Sequence, residues 1–528
     1  MIKSFFGLLL IFTFSGCVSS EMIKPDPPPT TWKVADLKTS VQIQREMPQI
    51  QKEFRAAWVA TVDNIDWPSK PGLSSAQQQN ELRDLLDRAR MLNLNAIIFQ
   101  VRPTADAFYA SDLEPWSYYL TGENGRAPEP FYDPLAFAVE EAHRRGIELH
   151  AWFNPYRAYH PTASDTLSPE HLSLKMPQSV HQYGDLLWMD PGSPEATNHS
   201  LDVIMDVVER YDIDGVHLDD YFYPYSINDE KGKRVEFPDS VFYALYNDGL
   251  SLADWRRRNV DDLVLRIYSG IKEKKPWVLF GISPFGIWRP GFPEMVTGFD
   301  AYDGLYADAK KWLNEGWVDY FTPQLYWALS SKGQPYGPLL DWWIEENLKG
   351  KHIWPGNFTS RYILKDGSHW EEDEIVAQVQ HTREVAGATG NVHFSMRALT
   401  PFNSPLSAAL SSEVYSEKAL IPTSTWLPGA RPATPVGEIR HFGDHDYLAM
   451  TPADDTELRS WIVRFKENGV WKTELVPAWL HAISLEHHAL AEVVVLQAVT
   501  RLGRESEPLV LLLSRLNSGL KIDEVPRW

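Results

Sequence analysis

The chain has 528 residues, 44% of them hydrophobic, and a formal net charge of −21. That length exceeds one ordinary domain, so one enzyme-sized domain with a smaller companion is expected. The acid excess argues against a nucleic-acid or anionic-membrane surface, which needs clustered Lys and Arg, and a single cysteine excludes disulfides within the chain and cysteine-based zinc sites.

In chain order, Lys3 precedes an apolar run, Phe5–Phe14, followed by Ser15-Gly16-Cys17. The run is shorter than the roughly 20 residues of a membrane span and fits the core of a secretory signal. Small residues before Cys17 resemble a bacterial lipobox, with Phe14 in the usual place of Leu. Residues 1–17 are therefore expected to be a lipoprotein signal, with lipidation at Cys17. Val18 is not Asp, and by resemblance to known sorting signals this favours the outer membrane, facing the periplasm or the cell surface. Residues 18–52, rich in Pro and polar side chains, are expected to be a tether.

From residue 53 to 420, short apolar runs alternate with amphipathic segments. The strand candidates are Phe54–Val62, Ala96–Val101, Glu148–Phe153, Gly215–Leu218, Val278–Ile282, Tyr320–Tyr326, His352–Phe358 and Val392–Met396. Helical patterns lie between them at Ser75–Leu92, Pro134–Arg145, Pro194–Tyr211, Leu252–Lys274, Tyr306–Glu315, Leu339–Leu348 and Glu371–Ala388. Eight strands alternating with helices predict an α/β fold, a (β/α)8 TIM barrel. A doubly wound open sheet is the alternative, weakened by the lack of a Gly-rich turn after the first strand. The segments after the strands, such as Pro103–Tyr132, Tyr156–Met189 and Tyr221–Gly249, are long and aromatic. In a barrel such loops stand on the catalytic face. Residues 421–436 hold four prolines and read as a linker. Residues 437–528 carry short strand-like runs and predict a small β-sandwich, whose last two strands resemble those of a fibronectin type III domain.

The densest candidate site is Ile213–Pro224, a buried strand ending in Asp219 and Asp220. Side chains alternate along a strand, so His217 and Asp219 share one face. Asp219 and Asp220 are candidate catalytic acids, with His217 and Tyr221 beside the ligand. Glu114 is a third candidate acid. It lies among Trp116, Tyr118 and Tyr119, where an apolar setting would raise its pKa and keep it protonated. Trp152, Asn154 and Arg157 close the third strand, and Gln324, Tyr326 and Trp327 the sixth. Asp63 and Trp67 follow the first strand, and Arg102 ends the second. All are candidate substrate contacts, Trp116 included, for a sugar whose apolar faces stack on rings and whose hydroxyls take hydrogen bonds. No His-Glu-x-x-His pair, Walker loop or Gly-x-Ser-x-Gly elbow is present. No metal or cofactor is expected, although a divalent ion on Asp219, Asp220 and His217 stands as an alternative.

The segments Phe54–Pro68, Gln100–Pro103, Leu113–Ser117, Ala151–Arg157 and Asp214–Pro224 resemble, in order, the motifs of the glycosyl-hydrolase-like family 10. The family is similar to TIM-barrel glycosidases and includes a bacterial lipoprotein glycosidase of peptide-free peptidoglycan strands. The resemblance implies a glycoside hydrolase acting on a cell-wall glycan, with Glu114 as proton donor and Asp219 as nucleophile or base. Arg102 or Arg157 would meet the lactyl carboxylates of such a strand. A glycan-binding lipoprotein without hydrolysis, or a glycosidase of another polysaccharide, is the alternative. The expected partners are a glycan strand and, through Cys17 alone, a membrane. Oligomeric state is not assigned.

Overall fold

The computed structural model describes residues 30–163, 166–401, 404–443 and 445–515, so Cys17 and the lipobox lie outside the described residues.

The predicted helices form where the sequence caps them. Ser74 accepts a hydrogen bond from the Gln77 backbone N–H, and the Gln77 side chain accepts one from Ser74 in return. Asp133, Ser193 and Ser251 cap the helices Pro134–Arg144, Pro194–Arg210 and Leu252–Lys274. Two of these begin with proline, whose missing N–H has no partner to lose there.

The strands between them are Phe54–Val59, Ala96–Arg102, Glu148–Phe153, Gly215–Leu218, Leu279–Ile282, Tyr320–Phe321, the split pair His352–Ile353 and Gly356–Asn357, and Gly390–His393. All pair in parallel. The two pieces of the seventh strand stand at opposite ends of the sheet order. One piece pairs with the sixth strand and the other with the eighth. The sheet therefore returns to itself as an eight-stranded barrel, interrupted only at Trp354-Pro355.

Rings fill the cylinder. Phe54 stacks on Trp354 at 3.7 Å, and Trp354 on Tyr320 at 4.8 Å. The Tyr320 hydroxyl joins His150 Nδ1 at 2.9 Å and His217 Nδ1 at 3.0 Å. Glycine makes this layer possible. A Cβ on Gly281 would lie 2.0 Å from the Tyr320 ring, and one on Gly215 would lie 2.5 Å from the His150 ring.

The C-terminal part is a β-sandwich. One sheet orders Thr30–Val34, Leu509–Arg515, Ala491–Thr500, Leu458–Glu467 and Val470–Pro477. The other orders Val436–Phe442, His445–Thr451 and Ala482–Ser484. The sandwich docks at the end of the barrel where strands begin. Arg459 Nη1 pairs with Glu148 at 2.9 Å and Asp214 at 2.8 Å, at the starts of the third and fourth strands.

Two expectations are corrected. The stretch assigned as a tether is folded from residue 30. Thr30–Val34 pairs antiparallel with Leu509–Arg515, and helix Leu37–Glu46 places Ile43 against Val493, Val495 and Val510. The proline-rich segment 421–436 is no free linker. Trp426 donates to Asp319 at 2.9 Å, and Leu427 packs with Leu502 in the apolar cluster under the barrel.

Candidate active site

The fourth strand ends at Leu218, and the chain turns out of the barrel at Asp219 and Asp220. Asp219 leans toward the third strand. Trp152 Nε1–H donates to its Oδ2 at 3.1 Å, Asn154 Nδ2 lies 3.3 Å from the same oxygen, and the Tyr221 backbone N–H donates to Oδ1 at 3.3 Å. Asn154 is itself fixed, because its Oδ1 accepts from the Arg157 backbone N–H at 2.8 Å. Asp220 leans the other way. The Tyr225 hydroxyl donates to it in a short hydrogen bond, and the Gln324 side chain from the sixth strand donates to it as well.

The two carboxyl groups are only 4% and 3% exposed, too little for water to solvate two adjacent charges. Burial pushes Asp219 up to about 7; Arg157 pulls it down, Asp220 pushes it further up, and the Trp152 hydrogen bond lowers it. Burial also raises Asp220, against the donors Tyr225 and Gln324. Both shifts run in the direction that keeps a carboxyl group available for acid/base chemistry near neutral pH.

Aromatic rings surround the pair. The Arg157 guanidinium lies 5.2 Å from the centre of the Tyr221 ring, while its Nε–H donates to Pro103 O at 3.1 Å. Tyr326, half-buried, stacks on Phe358 at 5.2 Å and lies 5.9 Å from Phe394. Trp327, also half-buried, meets Phe285 edge-on. Asp63 stands exposed after the first strand, with a left-handed backbone (φ 55°). Trp116 is half-buried and sets its ring edge-on to Phe131.

Several expected roles are overturned by what the side chains touch. Glu114 is enclosed, with no side-chain exposure, in a two-pronged ion pair with Arg102 and a 3.0 Å contact with His199. Burial alone would raise its pKa, but the Arg102 charge and the His199 and Arg102 hydrogen bonds prevail and hold it at about 2. It has no proton to donate at neutral pH. Arg102 is equally committed and buried, which removes it as a partner for a ligand carboxylate. Trp67 is fully buried and donates to Gln78 O at 2.9 Å, so it offers no stacking face. Trp152 serves the site as a donor to Asp219, since its ring is 6% exposed. His217 belongs to the barrel interior. Its Nδ1 faces Tyr320, its Nε2 faces Ser283 at 2.9 Å and Trp58 at 3.2 Å, and burial next to His150 holds it neutral. With both nitrogens engaged, the metal alternative through His217 falls as well.

Tyr225, Phe358 and Phe394 had not been singled out. Tyr225 lies one residue past the stretch that drew notice, and a hydroxyl five positions after an acid was its only signal. The two Phe residues follow the ends of the seventh and eighth strands, where side chains reach the mouth.

The sequence model of the family described as Glycosyl hydrolase-like 10 matches residues 53–363, more than half of the chain. The chain belongs to this family. Glycosyl hydrolase YngK of Bacillus subtilis (strain 168) is 43% identical over 398 residues, covering 73% of this chain and 76% of the relative. Glycosyl hydrolase DigH of Escherichia coli (strain K12) is 37% identical over 318 residues, covering 56% and 71%. Among solved structures, the catalytic domain of β-amylase from Paenibacillus polymyxa is similar with TM-score 0.46 at 13% identity, over 70% of this chain and all of that one. This Glycosyl hydrolase-like 10 member is a glycoside hydrolase, and the matched range contains the acid pair together with Trp152, Asn154, Arg157, Tyr225 and Gln324.

Proposed function

We propose that the chain cleaves glycosidic bonds of a cell-wall glycan, with peptide-free peptidoglycan strands as substrate, and that Asp219 and Asp220 carry the acid/base chemistry. One observation bears most of the weight. Two sequence-adjacent carboxyl groups sit at the mouth of the fourth barrel strand, each held from a different side, with Arg157 as the nearby cation. Asp219, which burial holds at about 7, gives its proton to the glycosidic oxygen as the bond breaks, and takes one back from the solvent water whose oxygen bonds to the anomeric carbon. Asp220 supplies the negative charge that stabilises the oxocarbenium-like transition state. Tyr221 and Tyr326 flank the sugar.

The choice of glycan rests on the motif resemblance, supported by Arg157, whose charge suits a lactyl carboxylate. Purified strands stripped of peptide, intact sacculi and a neutral β-glucan are incubated with the chain, and new reducing ends are counted. Release from the stripped strands alone is expected. Binding without new ends would reassign the acid pair to recognition, and release from the β-glucan would reassign the substrate.

We also propose that Cys17 is lipidated and holds the protein at the outer membrane, and that the companion domain is fibronectin type III-like, a reading supported by its antiparallel five- and three-stranded sheets. Metabolic labelling with a fatty-acid probe, lost in Cys17→Ala, is the expected result. Labelling that survives the substitution refutes the anchor.

A further inference from the structure

A second cleft lies on the sandwich, away from the acid pair. It measures about 470 Å³ and is lined by helix-end residues such as Met47, by the segment after the barrel and by the strands around Arg464 and Gln497. Its charge is unbalanced. Lys52 pairs with Glu505 at 2.7 Å and Arg431 pairs with Glu507. Arg464 and Arg504 also line the cleft, and neither has a carboxylate at ion-pair distance among the described residues; the Glu505 charge acts on Arg464 only from farther away and is already paired with Lys52.

Arg464 is the unusual member. It is 4% exposed. Its Nη1 donates to Gln497 Oε1 at 2.6 Å, a neutral acceptor, and its Nε–H has no partner at all. Gln497 is held in turn by its own donation to Ser506 O at 2.9 Å, so it cannot swing away. Arg504 shows the same pattern, with Nη2 bonded to Leu427 O and Nε unpartnered. A buried guanidinium without an anion is costly, and a protein of net charge −21 has carboxylates to spare elsewhere. No carboxylate among the described residues supplies the missing partner at ion-pair distance.

We infer that this cleft binds a carboxylate group of a ligand, seated on the free edge of Arg464 with Arg504 beside it. A carboxylate has two coplanar oxygens that match paired N–H donors of one guanidinium, and the buried Arg464 Nε–H is the donor left without an acceptor. The site is distinct from the acid pair and does not depend on which bond that pair cleaves. The choice of ligand rests on the proposed cell-wall reading, which offers two sources of the group: the lactyl acid of a muramic sugar, or the free end of a peptide.

The test uses the full chain carrying Asp219→Asn, so that nothing is consumed. Ligand-observed NMR titrations use N-acetylmuramic acid, D-alanyl-D-alanine, N-acetylglucosamine and inorganic phosphate. Salt-sensitive binding of one of the two acids is expected, weakened at least tenfold by Arg464→Gln and several-fold by Arg504→Gln, with N-acetylglucosamine indifferent to both. The acid that binds names the source. Arg504 is half-buried, so Arg504→Gln remains informative if the Arg464 variant fails to fold. Equal binding by the parent and both folded variants would overturn the inference, as would phosphate binding as tightly as the acids, or no acid binding up to tens of millimolar. Failure of hydrolysis on stripped strands would refute the functional reading without touching this one.

Discussion

At the scale of single residues, two carboxyl groups placed by similar sequence surroundings meet opposite fates. Glu114 and Asp219 both lie among aromatic side chains, but Glu114 is bonded directly to Arg102, whereas Asp219 takes hydrogen bonds only from neutral donors and feels the Arg157 charge without an ion pair. Asp219 is held near 7, so a reaction that needs its proton slows as pH rises through that value. In Asp220→Asn the neighbouring negative charge is gone, and the alkaline limb of the residual kcat/KM profile is expected at lower pH. Asp219→Asn is expected to cost about 10²–10⁴ in kcat. The same substitution alters stability with a definite sign. A carboxyl group with a raised folded pKa keeps its proton after the unfolded chain has lost its own, so stability declines from about pH 4 to about pH 7. Asp219→Asn removes that decline, and its melting temperature is expected to exceed the parent's by a few degrees at pH 8 and to match it near pH 4. Glu114→Gln behaves differently. It leaves the buried Arg102 charge without its counter-ion and costs about 3–5 kcal/mol in denaturant unfolding. Activity that persists in the folded fraction at the parental pH profile confirms its structural role.

At the scale of elements, the barrel was legible because each strand and helix carries its own period and punctuation. Helices that start at Ser74, Asp133, Ser193 and Ser251 announce themselves by cap residues. The acid pair was legible too, since a strand that ends in Asp-Asp has nowhere to put two charges except its open end. What could not be read was partner choice between distant segments. Nothing near Glu114 in sequence indicates that Arg102 closes on it rather than on a ligand, and period 2 puts His217 on the inner face without saying at what depth. Strand Val470–Pro477 is hard to read in the sequence, because it pairs on one side only and places Lys472 and Glu474 on its wet face. Depth inside the barrel is instead set by volume. Gly281 opposes Tyr320, and Gly281→Ala drives a methyl into that ring. A loss of about 1–3 kcal/mol or more is expected, read as a lower melting temperature.

For the whole molecule, the sandwich docks at the end of the barrel opposite the acid pair and so does not cover the mouth. Arg459 ties the two units through Glu148 and Asp214, and Trp426 covers the cylinder's floor from below. Strand Thr30–Val34 covers what would otherwise be the bare edge of Leu509–Arg515. Bare edges recruit other chains. A variant that begins at residue 48 is expected to unfold at lower temperature and to self-associate with rising concentration in sedimentation velocity. A monomer as stable as the parent would show that the added strand is incidental.

That same pairing constrains how the protein is made. Thr30–Val34 and its partner Leu509–Arg515 are separated in sequence by the whole barrel. A chain that emerges vectorially leaves the strand and the apolar side of its helix without a mate until that partner arrives. The barrel segments come in between, and the sandwich is completed only when Leu509–Arg515 slots between Thr30–Val34 and Ala491–Thr500.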